Sequence, residues 1–150
     1  MVSELTDSGG FPLVNNNNTT ITSSLTDRYN CIAWAAKDES NWWWPQPITK
    51  KNFWPAGLPR STTVNSFVIA FQSLGYEQCT SGDLEVGFEK VALYVDSASV
   101  PTHMSRQLDS GLWTSKMGEW HDISHETPET LTGDVYGSVH LFMKRSIAAN

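Results

Sequence analysis

Lys90-Val91-Ala92-Leu93-Tyr94-Val95, followed by Thr102-His103-Met104-Ser105-Arg106-Gln107-Leu108, are the stretches whose reading decides the fold. The first is a compact run of strand formers. The second alternates, which puts His103, Ser105 and Gln107 on one face of a strand and Met104, Arg106 and Leu108 on the other. Asp109-Ser110-Gly111 is a hairpin-turn signal, and Leu112-Trp113-Thr114-Ser115-Lys116-Met117 reads as the next strand. Thr127-Pro128-Glu129-Thr130-Leu131 reads as a short helix with Thr127 as cap, and residues 136–143 as the last strand. Upstream the period changes. Val64, Phe67, Val68, Phe71 and Leu74 form one apolar helix face, with Ser61, Thr62 or Thr63 to cap it and Gly75 to close it. A first helix is expected over residues 28–37, capped by Thr26 or Asp27. Helices first and an antiparallel meander after them give the expected class: α+β, with N-terminal helices packed on a small antiparallel sheet.

The 150 residues suit one domain. Residues 1–20 are polar, with an Asn run at 15–18, and read as a flexible arm, although Phe11-Pro12-Leu13-Val14 is apolar enough to dock. The domain proper is expected over residues 21–150. A net charge of −6 with no basic block argues against nucleic-acid binding. The N-terminus has no apolar signal region and no run approaches the ~20 apolar residues of a membrane span, so a cytoplasmic protein that does not enter the membrane is expected. His121 and His125 bracket Asp122 at a helical spacing that suits a metal, but the segment reads as leaving a strand and no third ligand stands nearby. Neither a metal nor a cofactor is expected.

Cys31 sits in Tyr29-Asn30-Cys31-Ile32-Ala33-Trp34-Ala35-Ala36, at the opening of the first expected helix. The positive end of a helix favours a thiolate, and a lone Cys there with a histidine downstream is one way to place a nucleophile. A Cys among Ile and Ala also reads as a small core residue. In the nucleophile reading His103 is the base, Asp122 or His125 orients it, and the Cys31 backbone N–H helps hold an oxyanion. Lys90, Arg106 and Lys116 lie on the expected sheet and either converge on an anionic substrate group or are ordinary strand charges. The 38–60 loop carries Trp42-Trp43-Trp44-Pro45. Its rings, together with Trp34, either plug the core or form a platform for substrate. Three adjacent Trp residues cannot all face one way, so at least one is expected in the open or in a groove.

In the order of its parts, a cysteine opening a helix and then a sheet carrying histidine, the chain resembles the papain-like cysteine hydrolases. Within them it is most similar to the NlpC/P60 amidases and peptidases. In that group the base histidine begins a strand like Val91-Ala92-Leu93-Tyr94-Val95. Lys90 holds that place here, and a protonated lysine is a poor base, so either His103 takes the role or the fold has lost hydrolytic chemistry. A broader resemblance rests on Tyr29-Asn30-Cys31-Ile32-Ala33-Trp34-Ala35-Ala36, Trp42-Trp43-Trp44-Pro45, Leu74-Gly75-Tyr76-Glu77 and Phe88-Glu89-Lys90-Val91-Ala92-Leu93-Tyr94-Val95. It continues through Thr102-His103, Arg106-Gln107, Trp113-Thr114-Ser115-Lys116, Asp122-Ile123, His125 and Tyr136-Gly137. These resemble an uncharacterised bacterial family of small domains of unknown function, which implies no activity. The expectation is a thiol-protease-like hydrolase that cleaves an amide or peptide bond through a Cys31–His103 dyad. Its substrate would be a peptide or a small amide-containing molecule. The alternatives are a non-catalytic binding module whose Trp-rich loop holds a peptide or glycan, and a scaffold or immunity-like protein whose partner covers that loop.

Overall fold

A computed structural model describes residues 9–147 of the chain. In chain order these form β1 (Thr19–Ile21), α1 (Cys31–Ala35), β2 (Trp42–Trp43), β3 (Asn52–Phe53), α2 (Val64–Gln72), β4 (Glu77–Cys79) and β5 (Phe88–Val95). There follow β6 (Pro101–Gln107), β7 (Trp113–Lys116), β8 (Asp122–His125), a 3-10 turn (Pro128–Leu131) and β9 (Ser138–Ser146). Seven strands make one antiparallel sheet in the order β1-β8-β7-β6-β5-β9-β4, and β2 and β3 form a separate parallel pair.

β5 reads as a nearly continuous apolar run because it is buried on both faces. Val91 and Leu93 enter one core with Met104, Met143, Ile32, Phe67 and Phe71. Ala92 and Tyr94 enter a second core with Phe11, Val14, Trp113, Ile123 and Leu131. The helices and the aromatic loop cover the first face. The N-terminal segment and the 3-10 turn cover the second.

The expected class is overturned. The fold is mostly β, built on a seven-stranded antiparallel sheet, with two helices of five and nine residues among those described. It is not a helical layer on a small papain-like sheet. Two physical causes stand out. The first helix starts late, because Asn30 caps it: its Oδ1 accepts from the Ala33 N–H at 3.1 Å. It stops early, because Lys37 adopts φ +64° and the Asp38 N–H bonds back to the Ala33 carbonyl at 2.8 Å. Meanwhile β1, β4 and β8, each of three or four largely polar residues, widen the sheet at its edges.

The N-terminal stretch also differs from the expected arm. Phe11 and Val14 are buried, and Thr19 pairs with His125 across β1 and β8. The part of that arm in residues 1–8 lies outside the described residues, as do residues 148–150 of the expected domain. α2 and the 3-10 turn match their expected positions, with Thr63 and Thr127 as N-caps and Gly75 at φ +97° beyond α2. Among the described residues no helix is long and apolar enough to cross a membrane.

Candidate functional site

The Trp triplet divides as strand geometry requires. Alternation along β2 sends Trp43 inward, where it is 4% exposed and packs edge-on against Trp54 at 6.1 Å. Its indole N–H donates to Asp38 Oδ2 at 2.8 Å. Trp42 and Trp44 are half-buried, and Trp44 rests edge-on against Phe67 at 5.5 Å. β3 brings Asn52 beside Trp42. The Asn30 side chain ties this loop to the start of α1: its Nδ2 donates to the Trp43 carbonyl at 2.7 Å and its Oδ1 accepts from the Trp43 N–H at 3.0 Å.

Trp42, Trp44, Asn30, Asn52 and Cys31 then meet Thr102, Gly118 and Tyr136 around a pocket of about 320 Å³. No charged side chain lines it. Cys31 is 6% exposed. Burial pushes its thiol up to about 11, and the opposing pull of the Met104, Ile32 and Cys31 backbone and the Lys116 charge does not offset this. The thiol is therefore protonated at neutral pH. The helix of five residues does not produce the activated thiolate expected from the sequence.

The structure does not bring His103 to Cys31. α1 packs on the face of β6 that carries Met104, and Cys31 shares a core with Met104. His103 points to the other face, against Tyr94 at 5.0 Å and flat on the Tyr136 ring at 3.9 Å. There it joins His125 through Ser115, for which the sequence offers no role. Ser115 Oγ lies 3.0 Å from His103 Nε2 and 2.8 Å from His125 Nε2. The polarity of this row follows from its far end. His125 Nδ1 is 2.7 Å from the Thr127 carbonyl, which only accepts, so Nδ1 carries the proton and Nε2 is an acceptor. The Ser115 hydroxyl donates to that acceptor, and His103 Nε2–H donates to Ser115. Burial, then the charge of His125, holds His103 well below the usual histidine range, and burial holds His125 at about 4. The row is neutral and sealed.

The remaining expected site residues support the frame. Arg106 lies over the Trp34 ring at 5.1 Å, and the Trp34 indole donates to Thr114 Oγ1 at 2.9 Å, clasping α1 to the sheet. Lys116 is fully buried and donates to the carbonyls of Thr26, Gly118 and Trp120. Asp122 Oδ2 accepts from the Tyr29 hydroxyl at 2.8 Å, on the helix side of the sheet and away from His103. Lys90 donates to the Ser81 carbonyl at 3.0 Å, behind another loop. None of these lines the pocket, and Lys90, Arg106 and Lys116 do not converge. Sequence reasoning missed Asn30, Asn52, Thr102, Gly118 and Tyr136. Only Asn30 left a signal, as a cap-forming residue immediately before Cys31. Among the described residues no group of three or more His, Cys, Asp or Glu is placed to hold a metal.

Residues 20–144 match the model of a family described as a domain of unknown function (DUF7689). No curated protein and no solved structure matches the chain.

Proposed function

We propose that this chain, which belongs to the DUF7689 family, is a non-catalytic binding module, and that the Trp42–Trp44 pocket takes an uncharged polar ligand with a flat apolar face, the chemistry of a sugar ring in a glycan. The observation that carries this reading is the lining itself. Two Trp rings and a Tyr ring offer stacking surface, and amide and hydroxyl groups stand beside them. At about 320 Å³ the pocket is at the small end of the range for ligand sites, which suits one ring rather than a long chain. It lacks the charge that would select an ionised ligand.

The hydrolase reading keeps one supporting observation, that Cys31 lines the same pocket. It needs a base there, and no His, Asp, Glu or Lys is in the lining. The binding reading needs none. NMR titration of the labelled protein with cellobiose, maltose and N,N′-diacetylchitobiose tests it. At least one sugar is expected to move the Trp42 and Trp44 indole signals saturably. Trp44→Ala is expected to weaken that binding about tenfold or more, on the scale of a lost stacking contact, while Cys31→Ser keeps it. No saturable shift with any of the three sugars contradicts the glycan reading.

A further inference from the structure

On the sheet face opposite the Trp pocket, at the other end of β6, lies a second cavity of about 450 Å³. We propose that it is a binding site for an organic cation bearing N–H donors, the guanidinium or ammonium end of an arginine or lysine side chain. Three carboxylates, Asp83, Glu126 and Glu129, stand around it. None has an ion-pair partner among the described residues. Lys90 and Lys144, on the adjoining strands, direct their charges to Glu85 at 3.3 and 2.8 Å instead.

A group of acids alone is no site. The second, independent observation is Gln107. It lines the cavity, is 6% exposed, and its Oε1 is buried without a hydrogen-bond partner. Its orientation is fixed chemically. The amide is 2.8 Å from the Gly82 carbonyl, which only an N–H can face, so Nε2 is the atom placed there and Oε1 is the acceptor on the other side of the amide. A buried acceptor without a partner is unfavourable, and a donor arriving in the cavity offsets that. The Trp113 and Phe142 rings, 6.1 Å apart, provide apolar and π surface for such a cation.

Both walls are held in advance. On one side a Cβ at Gly82 would come within 2.7 Å of the Phe142 ring, so this glycine lets the loop backbone lie directly on that ring. Lys90 pins the same loop through the Ser81 carbonyl. On the other side the Tyr94 hydroxyl donates to the Pro128 carbonyl and His125 Nδ1–H donates to that of Thr127. Walls held in this way keep the Gln107 acceptor in place for the N–H donors of a cation.

The test is an NMR titration with N-acetyl-arginine methylamide and N-acetyl-lysine methylamide. The controls are the citrulline counterpart, which is uncharged, and tetramethylammonium, which has no N–H. At least one of the two cations is expected to shift the Gln107 side-chain amide and Trp113 indole signals saturably, leaving those of Trp42 and Trp44 in place. Binding is expected to weaken about tenfold in Gln107→Leu, the scale of one charge-assisted hydrogen bond. The exposed double change Asp83→Asn/Glu129→Gln, which leaves the buried wall intact, is expected to weaken it comparably. The proposal is overturned if neither cation saturates, or if citrulline or tetramethylammonium binds equally well at the same residues. Because the readout residues differ, failure here is distinct from failure at the Trp pocket.

Discussion

Met104 and His103 are neighbours on one strand and belong to two different kinds of protein interior. The face of Met104 is closed by α1, α2 and the aromatic loop, and it is held by apolar packing around Phe67 and Phe71. That packing stops short at one end and leaves a pocket walled by Trp42, Trp44 and Cys31. The face of His103 carries a buried polar row, His103–Ser115–His125–Thr127, while His103 Nδ1 and Gln107 Oε1 on that face are buried without a partner. The residues that look most chemical in the sequence are thus kept apart: the Tyr136 ring that lines the Cys31 pocket lies flat on His103, which is behind that ring and not in the lining. The thiol is beside an opening and the imidazoles are inside a seal. A strand separates consecutive side chains more firmly than a long loop does, and a dyad guessed from chain order has to survive that alternation.

The comparison breaks first if the helix face does not rest on packing. Phe71 is fully buried, and Phe71→Ala is expected to cost about 3–5 kcal/mol, read from urea denaturation. A loss near zero would mean that this face does not hold the fold.

Acid is the next probe, and it acts on the other face. His125 titrates at about 4 in the fold and near the ordinary 6.5 when unfolded. The unfolded chain therefore binds the proton more readily. The stabilisation is full above about pH 6.5 and falls as the pH drops toward 4, by about 3 kcal/mol from His125, with His103 adding in the same direction. Urea midpoints measured between neutral pH and about pH 4.5 are expected to decline steadily, and a flat profile would contradict the sealed neutral row.

Ser115→Ala sharpens the same point. It leaves the facing nitrogens of two buried imidazoles without their partner and is expected to cost about 2 kcal/mol. A neutral result would make the row incidental. The smallest expected change is at the pocket. Trp44→Ala removes a half-buried ring and is expected to lower stability by about 1 kcal/mol while abolishing most sugar binding. Calorimetry of the free and sugar-loaded variant separates the two effects.

Much of the sheet was readable, and the reason is physical. β5, β6 and β7 are buried on two faces or alternate cleanly, and α2 keeps its 3.6-residue period between Thr63 and Gly75. β1 and β4 are three residues long and mostly polar, so nothing in Thr19-Thr20-Ile21 marks a strand until β8 lies beside it. Short polar strands of this kind hide the breadth of the sheet, and with it the mostly-β class, from the sequence. At the site, the division of three adjacent Trp residues followed from sterics alone. The side of β6 on which α1 docks did not. The alternation of Met104 and His103 is written in the sequence, but which of the two meets Cys31 is decided by tertiary packing. The pKa of Cys31 depends on the same packing, since burial raises it more than a helix of five residues lowers it.

The most direct measurement is the pH dependence of Cys31 alkylation, with Cys79→Ser to isolate the thiol and His103→Ala as the comparison. A buried thiol with no imidazole beside it is expected to react slowly at neutral pH, to show an apparent pKa of about 11, and to be indifferent to His103→Ala. A fast reaction with an apparent pKa below the ordinary thiol value of about 8.5, raised when His103 is removed, would join the two faces in one active site and contradict the binding module.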